Sequence, residues 1–291
     1  MLKKAFFAIL LLSLAGTAGS QHRPAYMLYN SEGKKVDYSF MTGMMNEADI
    51  VLFGEEHNNP ISHWLQLELT RDLHRLKEGR IILAAEMFEA DNQVILDEYL
   101  GGMITESYFE SEMRLWNNYK TDQKPLVLFA KENGLPFVAS NIPRRYANMV
   151  FHGGFEALEK LSSKAKEYIA PLPVEYCPDL SQYKKMVQIE GAPMDHGPGL
   201  NLPKAQAVKD ATMAHFIMEN FVPGKTVVHF HGTYHSDFYQ GIMWYLQQGM
   251  PELRIRTIAT VTGDMPGKLG DEHHGRADVI IKVPETMTRT Y

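Results

Sequence analysis

The chain has 291 residues, of which 45% are hydrophobic and 22% are charged, and its formal net charge is −6. An apolar share of this size supplies a large buried core, so the composition excludes a disordered chain. The acidic balance excludes nucleic-acid binding through bulk positive charge. A single cysteine, Cys177, excludes an internal disulfide, and we expect its thiol to be partly buried and inert.

The first residues have the pattern of an export signal. Lys3 and Lys4 precede an apolar stretch over 5–14, and the small residues Ala18-Gly19-Ser20 follow it. We therefore predict a signal peptide over 1–20 and a single mature domain over 21–291; an uncleaved anchor is the alternative. The junction has no cysteine that could carry a lipid. The predicted location is the periplasm or the cell surface.

Strands and helices are predicted to alternate along the rest of the chain. Apolar runs predict strands over 48–53, 81–85, 136–140, 226–231, 254–261 and 278–283. Helical spacing of apolar residues predicts helices over 60–76, 92–100, 203–221 and 238–246. This alternation indicates an α/β fold: a mostly parallel sheet with helices on both faces.

The stretch over 165–202 has a different character. Prolines stand at 171, 173, 178, 193 and 198, and periodicity is weak. Long irregular stretches in compact domains are usually functional or mobile. We predict an irregular or helical cap inserted in the single domain.

Two copies of the pattern Gly-x-x-His each follow a predicted strand. The first is Gly54-Glu55-Glu56-His57, and the second is Gly232-Thr233-Tyr234-His235. A glycine lets the backbone turn at the strand end, and open parallel sheets bind ligands at their carboxyl edge. We expect both histidines at one pocket on that edge.

Carboxylates accompany the first motif. In an extended turn Glu55 and His57 share a side while Glu56 faces the other. A buried carboxylate needs a cation, a metal, a ligand or water, so these acids indicate a site. The alternative is an acidic cluster that complements the positive end of the helix starting at Pro60.

Other polar residues are predicted at the same edge. Glu86 ends the second strand, Arg144 and Arg145 follow the third, and His229 and His231 lie on one side of the fourth. We expect His235 in the pocket and one of His229 and His231 as a hydrogen-bonded core histidine.

Such a pocket suits two kinds of chemistry. Carboxylate, imidazole and guanidinium groups suit hydrolysis, with Glu56, His57, Glu86 and His235 as the candidate catalytic residues. They equally suit binding of an anionic, metal-bearing ligand. Candidate ligand-binding residues are Glu55, Arg144, His231, Tyr234, Tyr183 and His196. A divalent metal would take His57, His235 and Glu86 as ligands.

Methionine and aromatic residues cluster in several short stretches, including 87–88, 108–109, 113–116 and 243–245. Ordinary core packing explains such clusters, and so does the wall of a flat apolar pocket suited to a porphyrin. An axial haem ligand would be a tyrosine or a histidine. The candidates are Tyr234, Tyr183 and His196.

The motifs together resemble the ChaN-like iron-regulated proteins, which are grouped with TIKI and erythromycin esterase proteins in a haem-binding uptake superfamily. The resemblance covers roughly residues 48 to 240 and runs through Gly54 to His57, His63 to Glu68, Glu86-Met87-Phe88, Gln93, Leu96-Asp97, Ala139 to Arg144, Ala205-Gln206, Asp210 to Ala214, and Gly232 to His235. It implies an exported α/β protein of haem or iron acquisition, with both motifs in one pocket. The resemblance also implies dimers whose iron is held by tyrosine, but it assigns this role to no particular tyrosine of this chain.

These observations support three hypotheses. The first is an exported haem- or iron-binding protein, served by an outer-membrane haem receptor and able to form a homodimer. The second is a metal-dependent or metal-free hydrolase of esters or peptides, like relatives in the wider superfamily. The third is a non-catalytic module that binds a partner of a haem receptor.

Overall fold

The computed structural model describes residues 23–187 and 201–291, and the central feature of this part of the chain is an eight-stranded sheet. Its strands are β1 (Met27–Asn30), β2 (Lys35–Val36), β3 (Ile50–Glu55), β4 (Ile81–Glu89), β5 (Phe137–Asn141), β6 (Thr226–Gly232), β7 (Ile255–Gly263) and β8 (Val279–Pro284). Their order is β2-β1-β8-β7-β3-β6-β4-β5. All neighbours from β8 to β5 are parallel, and β1 joins β8 and β2 antiparallel.

Helices connect the strands. They are α1 (Tyr38–Asn46), α2 (Pro60–Leu76), α3 (Gln93–Leu100), α4 (Glu106–Glu112), α5 (Lys124–Glu132), α6 (Arg144–Gly153), α7 (Ser163–Lys166), α8 (Ser181–Val187), α9 (Leu202–Asn220) and α10 (Ile242–Gly249). A π-helical turn, Tyr119–Gln123, leads into α5. No helix within the described residues is long and apolar enough to cross a membrane.

Both faces of the sheet are covered by helices, as predicted for the α/β fold. Successive residues of a strand point to opposite faces. Val51 and Phe53 of β3 pack into a core with α2, α3 and α5, whereas Ile50 and Leu52 pack into a second core with α9 and α10. Because both of its faces are buried, β3 is almost continuously apolar.

Helix α2 spans the predicted residues 60–76. Pro60 occupies its first turn, where a missing backbone N–H costs nothing. The Asn59 side chain caps the helix by accepting hydrogen bonds from the N–H groups of Ile61 (3.1 Å) and Ser62 (3.3 Å). A neutral amide, rather than an acidic cluster, therefore completes the start of this helix.

Two predicted boundaries are wrong. The helix expected at 238–246 begins only at Ile242, because Phe238, Tyr239 and Gly241 have φ of 57°, 58° and 55°, which no α-helix accommodates. The strand expected to end at Ala85 continues to Glu89.

An irregularity in the pairing of β4 with β5 explains the longer strand. The register shifts between Ala85 and Glu89, and the consecutive side chains Met87 and Phe88 both enter one core. A bulge of this kind re-aims neighbouring side chains. Glu86 therefore lies inside the strand instead of following it.

The predicted cap is described only in part. Residues 165–187 contain the end of α7, an irregular stretch and α8, and residues 188–200 lie outside the described part. Tyr183 and Met186 of α8 are buried against the domain. The segment as a separate cap stays a prediction.

Candidate functional site

The two Gly-x-x-His motifs lie side by side at the carboxyl edge of the sheet. Strands β3 and β6 are parallel neighbours, with Glu55 opposite Gly232. Both strands therefore deliver their motifs to the same place. A Cβ atom built on Gly232 would lie 2.7 Å from His57 Nε2 and 3.6 Å from Glu86 Oε2. The predicted convergence of His57, Glu86 and His235 is thus present.

His57 is oriented by the carboxylate two residues before it. Its Nδ1 lies 2.9 Å from Glu55 Oε1, and its side chain is 35% exposed. Burial lowers the pKa of His57, but the hydrogen bond to Glu55 and the charge of Glu86 outweigh it, so the pKa is raised. Within the described part of the chain, Nε2 makes no hydrogen bond and lies beside Gly232, in the cavity between the motifs.

A buried polar network supports Glu55 from behind. Its Oε2 accepts a hydrogen bond from Gln66 at 2.6 Å and lies 3.4 Å from His63 Nδ1. His63 Nε2 is in turn 3.4 Å from Asp122. Asn118, just before the π-helical turn, donates to the His57 carbonyl at 2.7 Å and to Asp122 at 2.6 Å. Both the side chain and the backbone of His57 are therefore held.

His235 lies between two buried carboxylates. Its Nε2 is 3.2 Å from Glu86 Oε1, and its Nδ1 is hydrogen-bonded to Asp210. Burial lowers the pKa of His235, but Glu86 and Asp210 outweigh it and raise the pKa to about 10. The ring is therefore an imidazolium at neutral pH.

The carboxylates on either side of His235 have further partners. Burial alone would raise the pKa of Glu86, yet His235, His57 and the Gly232 N–H at 2.7 Å hold it well below its usual value. Tyr183 donates to Asp210 at 2.7 Å. Burial raises the pKa of Asp210 despite these partners.

His229 and His231 form a buried chain of hydrogen bonds beside the site. Their Nδ1 atoms are 3.0 Å apart, His231 Nε2 is 2.8 Å from Ser236 Oγ, and His229 Nε2 is 2.8 Å from Ser140 Oγ. Ser140 donates its hydroxyl proton to the Ala85 carbonyl at 2.9 Å. Burial lowers the pKa of both histidines, that of His229 to about 3.

The direction of this chain follows from the final acceptor, because a carbonyl cannot donate. Ser140 must accept from His229 Nε2–H, and in a neutral His229 ring Nδ1 then accepts from His231 Nδ1–H. His231 Nε2 then accepts from Ser236. Burial, which lowers both pKa values, favours neutral rings, and with both rings neutral every polar atom in this series of hydrogen bonds has a partner. Both histidines are buried and hydrogen-bonded to each other and to serines, which does not suit the predicted ligand-binding role of His231.

Glu56 faces away from Glu55 and His57, as expected from an extended turn. It accepts hydrogen bonds from Thr262 at 2.6 Å and from Arg289 at 2.5 Å. Burial raises the pKa of Glu56, but these partners and Asn59 outweigh it and lower the pKa. Its carboxylate lies at the rim of the cavity between the motifs and is already paired, which does not suit the predicted catalytic role.

Three cavities adjoin at this edge and share walls. The inner cavity, about 390 Å³, lies between the motifs and includes His57, Glu86 and Lys209 in its wall. The middle cavity, about 260 Å³, shares these three residues and adds Asn141. The outer cavity, about 690 Å³, shares Glu89, Trp116 and Arg144 with the middle one. We call these three cavities, which share wall residues, the groove.

Other predicted ligand-binding residues have different positions. Arg144 lines the middle and outer cavities, and Tyr234 lines the inner one, although its hydroxyl donates to the Gln182 carbonyl at 2.9 Å. Tyr183 is 2% exposed and lies behind His235, bound to Asp210, instead of on a lid over the pocket. His196 lies outside the described residues. Arg145 pairs with Asp91 at 2.7 Å.

Sequence reasoning assigned no residue of α9 to the site, although Gln206 and Asp210 of this helix carry part of the family resemblance. Gln206, Lys209 and Asp210 lie on one side of this helix, and Gln206 contacts the His235 ring. One signal was available: Asp210 interrupts a run of buried apolar residues, and a carboxylate at a core position needs a partner. Trp116 was named only within an aromatic stretch, and its ring packs edge-on against His57 at 4.8 Å.

The predicted divalent-metal ligands are not arranged as a cage. Across residues 23–187 and 201–291, no three His, Cys, Asp or Glu side chains are grouped so that they could hold a metal ion. Glu86 and His235 bind each other, and the second nitrogen of His235 binds Asp210. His57 Nε2 is the imidazole nitrogen left for a ligand.

A Gly232→Ala substitution tests how closely the motifs approach. Gly232 has φ −60° and ψ 134°, which alanine adopts freely, so the new methyl group acts only by its contact with His57. We expect a loss of about 1–3 kcal/mol in the free energy of unfolding from this overpacking, and a displaced His57 imidazole resonance in NMR spectra. Gly43→Ala, in α1 with open space around the new methyl group, is the control. An unchanged His57 resonance would contradict the close approach.

The comparisons with known proteins agree with this fold. A family profile described as "Haem-binding uptake, Tiki superfamily, ChaN" matches residues 41–246, more than two thirds of the chain. No curated protein sequence matches it.

Solved structures share the fold at low sequence identity. A structure of ChaN of Campylobacter jejuni, described as showing cofacial heme binding, superposes with a TM-score of 0.65 and 16% identity over 88% of this chain and 96% of that one. A Bacillus cereus protein gives a TM-score of 0.50 and 11% identity, over 88% and 93% of the two chains. A succinoglycan biosynthesis protein gives 0.50 and 12%, over 89% and 94%.

Proposed function

The chain belongs to the haem-binding uptake family of the Tiki superfamily, which includes ChaN, and we propose that it binds haem at the carboxyl edge of its sheet, in haem or iron acquisition. The observation that carries the proposed position is the convergence of the two Gly-x-x-His motifs on one groove. That groove offers the three kinds of contact that haem needs: an iron ligand, an apolar wall and cations for the propionates.

His57 suits the role of iron ligand. Its Nδ1 is held by the Glu55 carboxylate, and Nε2 is free within the described part of the chain. Histidines that bind metals characteristically have their second nitrogen fixed by a carboxylate in this way, which sets the tautomer and the ring orientation. The phenols of Tyr183 and Tyr234 are engaged with Asp210 and the Gln182 carbonyl.

The outer cavity suits the macrocycle. Its volume of about 690 Å³ lies within the range of roughly 300–1,000 Å³ typical of sites for molecules of this size. Met113, Leu115 and Trp116 supply apolar wall, and the Trp116 ring beside His57 brings an aromatic face close to the proposed iron ligand.

Haem itself would supply the iron chemistry, while this chain supplies binding and orientation. Glu55 fixes the His57 ring, and Asn118 holds the His57 backbone through its carbonyl. The imidazolium of His235 neutralises the Glu86 carboxylate close to the site. These contacts prepare the groove for its ligand before it binds.

Export and partners complete the proposal. Residues 1–20, which precede the described part, have the pattern of a signal peptide, so we place the protein in the periplasm or at the cell surface. An outer-membrane haem receptor would be its source of ligand, and a homodimer is its proposed assembly. Cell fractionation and size-exclusion chromatography with and without hemin test these points.

A hemin titration tests whether the protein binds haem and whether His57 is the iron ligand. We expect purified protein to shift the Soret band of hemin to a saturable end point. His57→Gln should weaken binding on the order of 100-fold, since even the loss of an outer partner of a metal ligand costs about 10–100-fold. The control is His152→Gln, at the exposed end of α6.

Two outcomes would count against the proposal. Hemin uptake no greater than by an unrelated acidic protein would remove haem binding altogether. Normal uptake and an unchanged spectrum in His57→Gln would remove His57 as the ligand and leave haem binding standing. The family match does not favour the hydrolase alternative.

A further inference from the structure

We propose that Arg144 and Lys209 form a subsite that recognises the carboxylates of the ligand, so that the protein selects porphyrins by their propionates. The inference rests on the proposed haem-binding function and adds that the groove recognises the propionate groups of the ligand. It concerns the middle cavity, where both side chains meet the groove.

The arginine and lysine side chains that line the groove differ in whether a carboxylate pairs with them. Arg114 binds Glu89 at 2.8 Å and also Asp91, and Arg145 binds Asp91 at 2.7 Å. Within the described ranges, no carboxylate lies within salt-bridge distance of Arg144 or Lys209. Two of the four cations are therefore neutralised by the protein, and the two that line the middle cavity are not.

Glu86 and Glu89 also line the middle cavity, and they would repel an anion if their charges were not compensated. Glu86 directs one oxygen to His235 at 3.2 Å and the other to the Gly232 N–H at 2.7 Å. Glu89 accepts from Arg114. Both acids are thus compensated by their own partners, and the uncompensated charge of the middle cavity is positive.

The wall of the middle cavity also contains a buried acceptor, the side-chain oxygen of Asn141. Asn141 is 9% exposed, and its amide nitrogen donates to the Glu86 carbonyl at 2.9 Å. This bond fixes the amide so that Oδ1 faces away from it, and Oδ1 is without a donor among the described residues. A buried acceptor of this kind calls for a donor, and because an ionised carboxylate has none, we assign this position to a water molecule that would bridge Asn141 and the propionate.

The volumes of the two cavities indicate which part of the ligand each would hold. The middle cavity of about 260 Å³ joins the outer one of about 690 Å³ across Trp116 and Arg144. The macrocycle lies on the Trp116 side, and a propionate extends inward between the guanidinium and the ammonium. Charge-assisted hydrogen bonds of this kind are about twice as strong as neutral ones.

The test compares hemin with hemin dimethyl ester, in which both carboxylates are masked, by absorbance titration in one detergent-containing buffer. We expect the wild type to bind hemin at least about tenfold more tightly than the ester, the factor that corresponds to about 1.4 kcal/mol. Arg144→Gln with Lys209→Gln should remove this preference by weakening hemin binding and leaving ester binding unchanged.

The matched control pairs Arg71→Gln with Lys204→Gln, an exposed arginine of α2 that lines none of the three cavities and another lysine of α9. This variant should keep the wild-type preference. Arg144 is exposed and Lys209 is partly exposed, and unchanged ester binding by the double variant would verify its fold.

Equal binding of hemin and the ester by the wild type would overturn the carboxylate subsite while haem binding stands. A preference retained in the Arg144→Gln, Lys209→Gln variant would also overturn it. Failure of the wild type to bind either compound would overturn the proposed function, and the subsite with it.

Discussion

Replacing His235 with glutamine should lower the free energy of unfolding by about 3–5 kcal/mol at pH 7.5, the usual cost of removing one partner from a buried ion pair. Glu86 and Asp210 are 5% and 1% exposed, and the His235 imidazolium is the cation between them. Without it, two buried carboxylates face each other across a neutral amide. Urea unfolding followed by circular dichroism measures the loss.

A double-mutant cycle separates this charge effect from a loss of packing. Asp210→Asn leaves His235 with Glu86 alone, and the combined variant removes one carboxylate together with the imidazolium. We expect the two substitutions to be coupled by about 1–3 kcal/mol, as for residues in direct contact. His152→Gln, at an exposed position, is the control. A cost for His235→Gln no larger than that of the control would contradict the proposed charge balance.

The buried pair His229 and His231 should make the protein sensitive to acid below pH 6.5. Burial lowers the pKa of His229 to about 3 and that of His231 in the same direction, against a usual value of 6.5. The unfolded chain therefore binds protons in this range that the folded chain cannot accept. Between pH 6.5 and 4.5 the His229 ring should remove about 2 kcal/mol of stability, and the His231 ring should add to this loss.

Other ionisable groups change the stability in other pH ranges or in the opposite direction. The pKa of His235 is raised to about 10, so its contribution is complete below pH 6.5 and is lost as the pH rises towards 10. The pKa of Glu86 is lowered, so its contribution is lost only as the pH falls below 4.5. Burial raises the pKa values of Asp210 and Asp237. These two groups therefore offset part of the stability that is lost at low pH.

A comparison of variants isolates the histidine contribution. We expect the double variant His229→Gln, His231→Gln to be less stable than the wild type at pH 7, because the hydrogen-bond chain from Ser236 to Ala85 is broken. Its stability should then depend less on pH between 6.5 and 4.5. Urea titrations at pH 6.5, 5.5 and 4.5 measure this slope. Equal slopes in the two proteins would show that these rings take up protons in the folded state.

The fold class and several elements could be predicted from the sequence alone. The α2 boundaries are encoded locally by Asn59, Pro60 and the apolar spacing that follows, and β3 and β6 are encoded by continuous apolar runs. Parallel strands deliver whatever follows them to one edge. The two Gly-x-x-His motifs could therefore be assigned to a single site without knowledge of any contact.

Tertiary structure decided which residues of that site have partners and which remain free. His231 and Tyr183 look like ligand-binding groups in the sequence, but one completes a buried hydrogen-bond chain and the other binds Asp210. Asp210 and Lys209 are distant in sequence from both motifs and reach the site only because α9 packs on the sheet beside β5. Local patterns specify where a strand ends, whereas hydrogen-bond partners and charge compensation depend on contacts between distant segments.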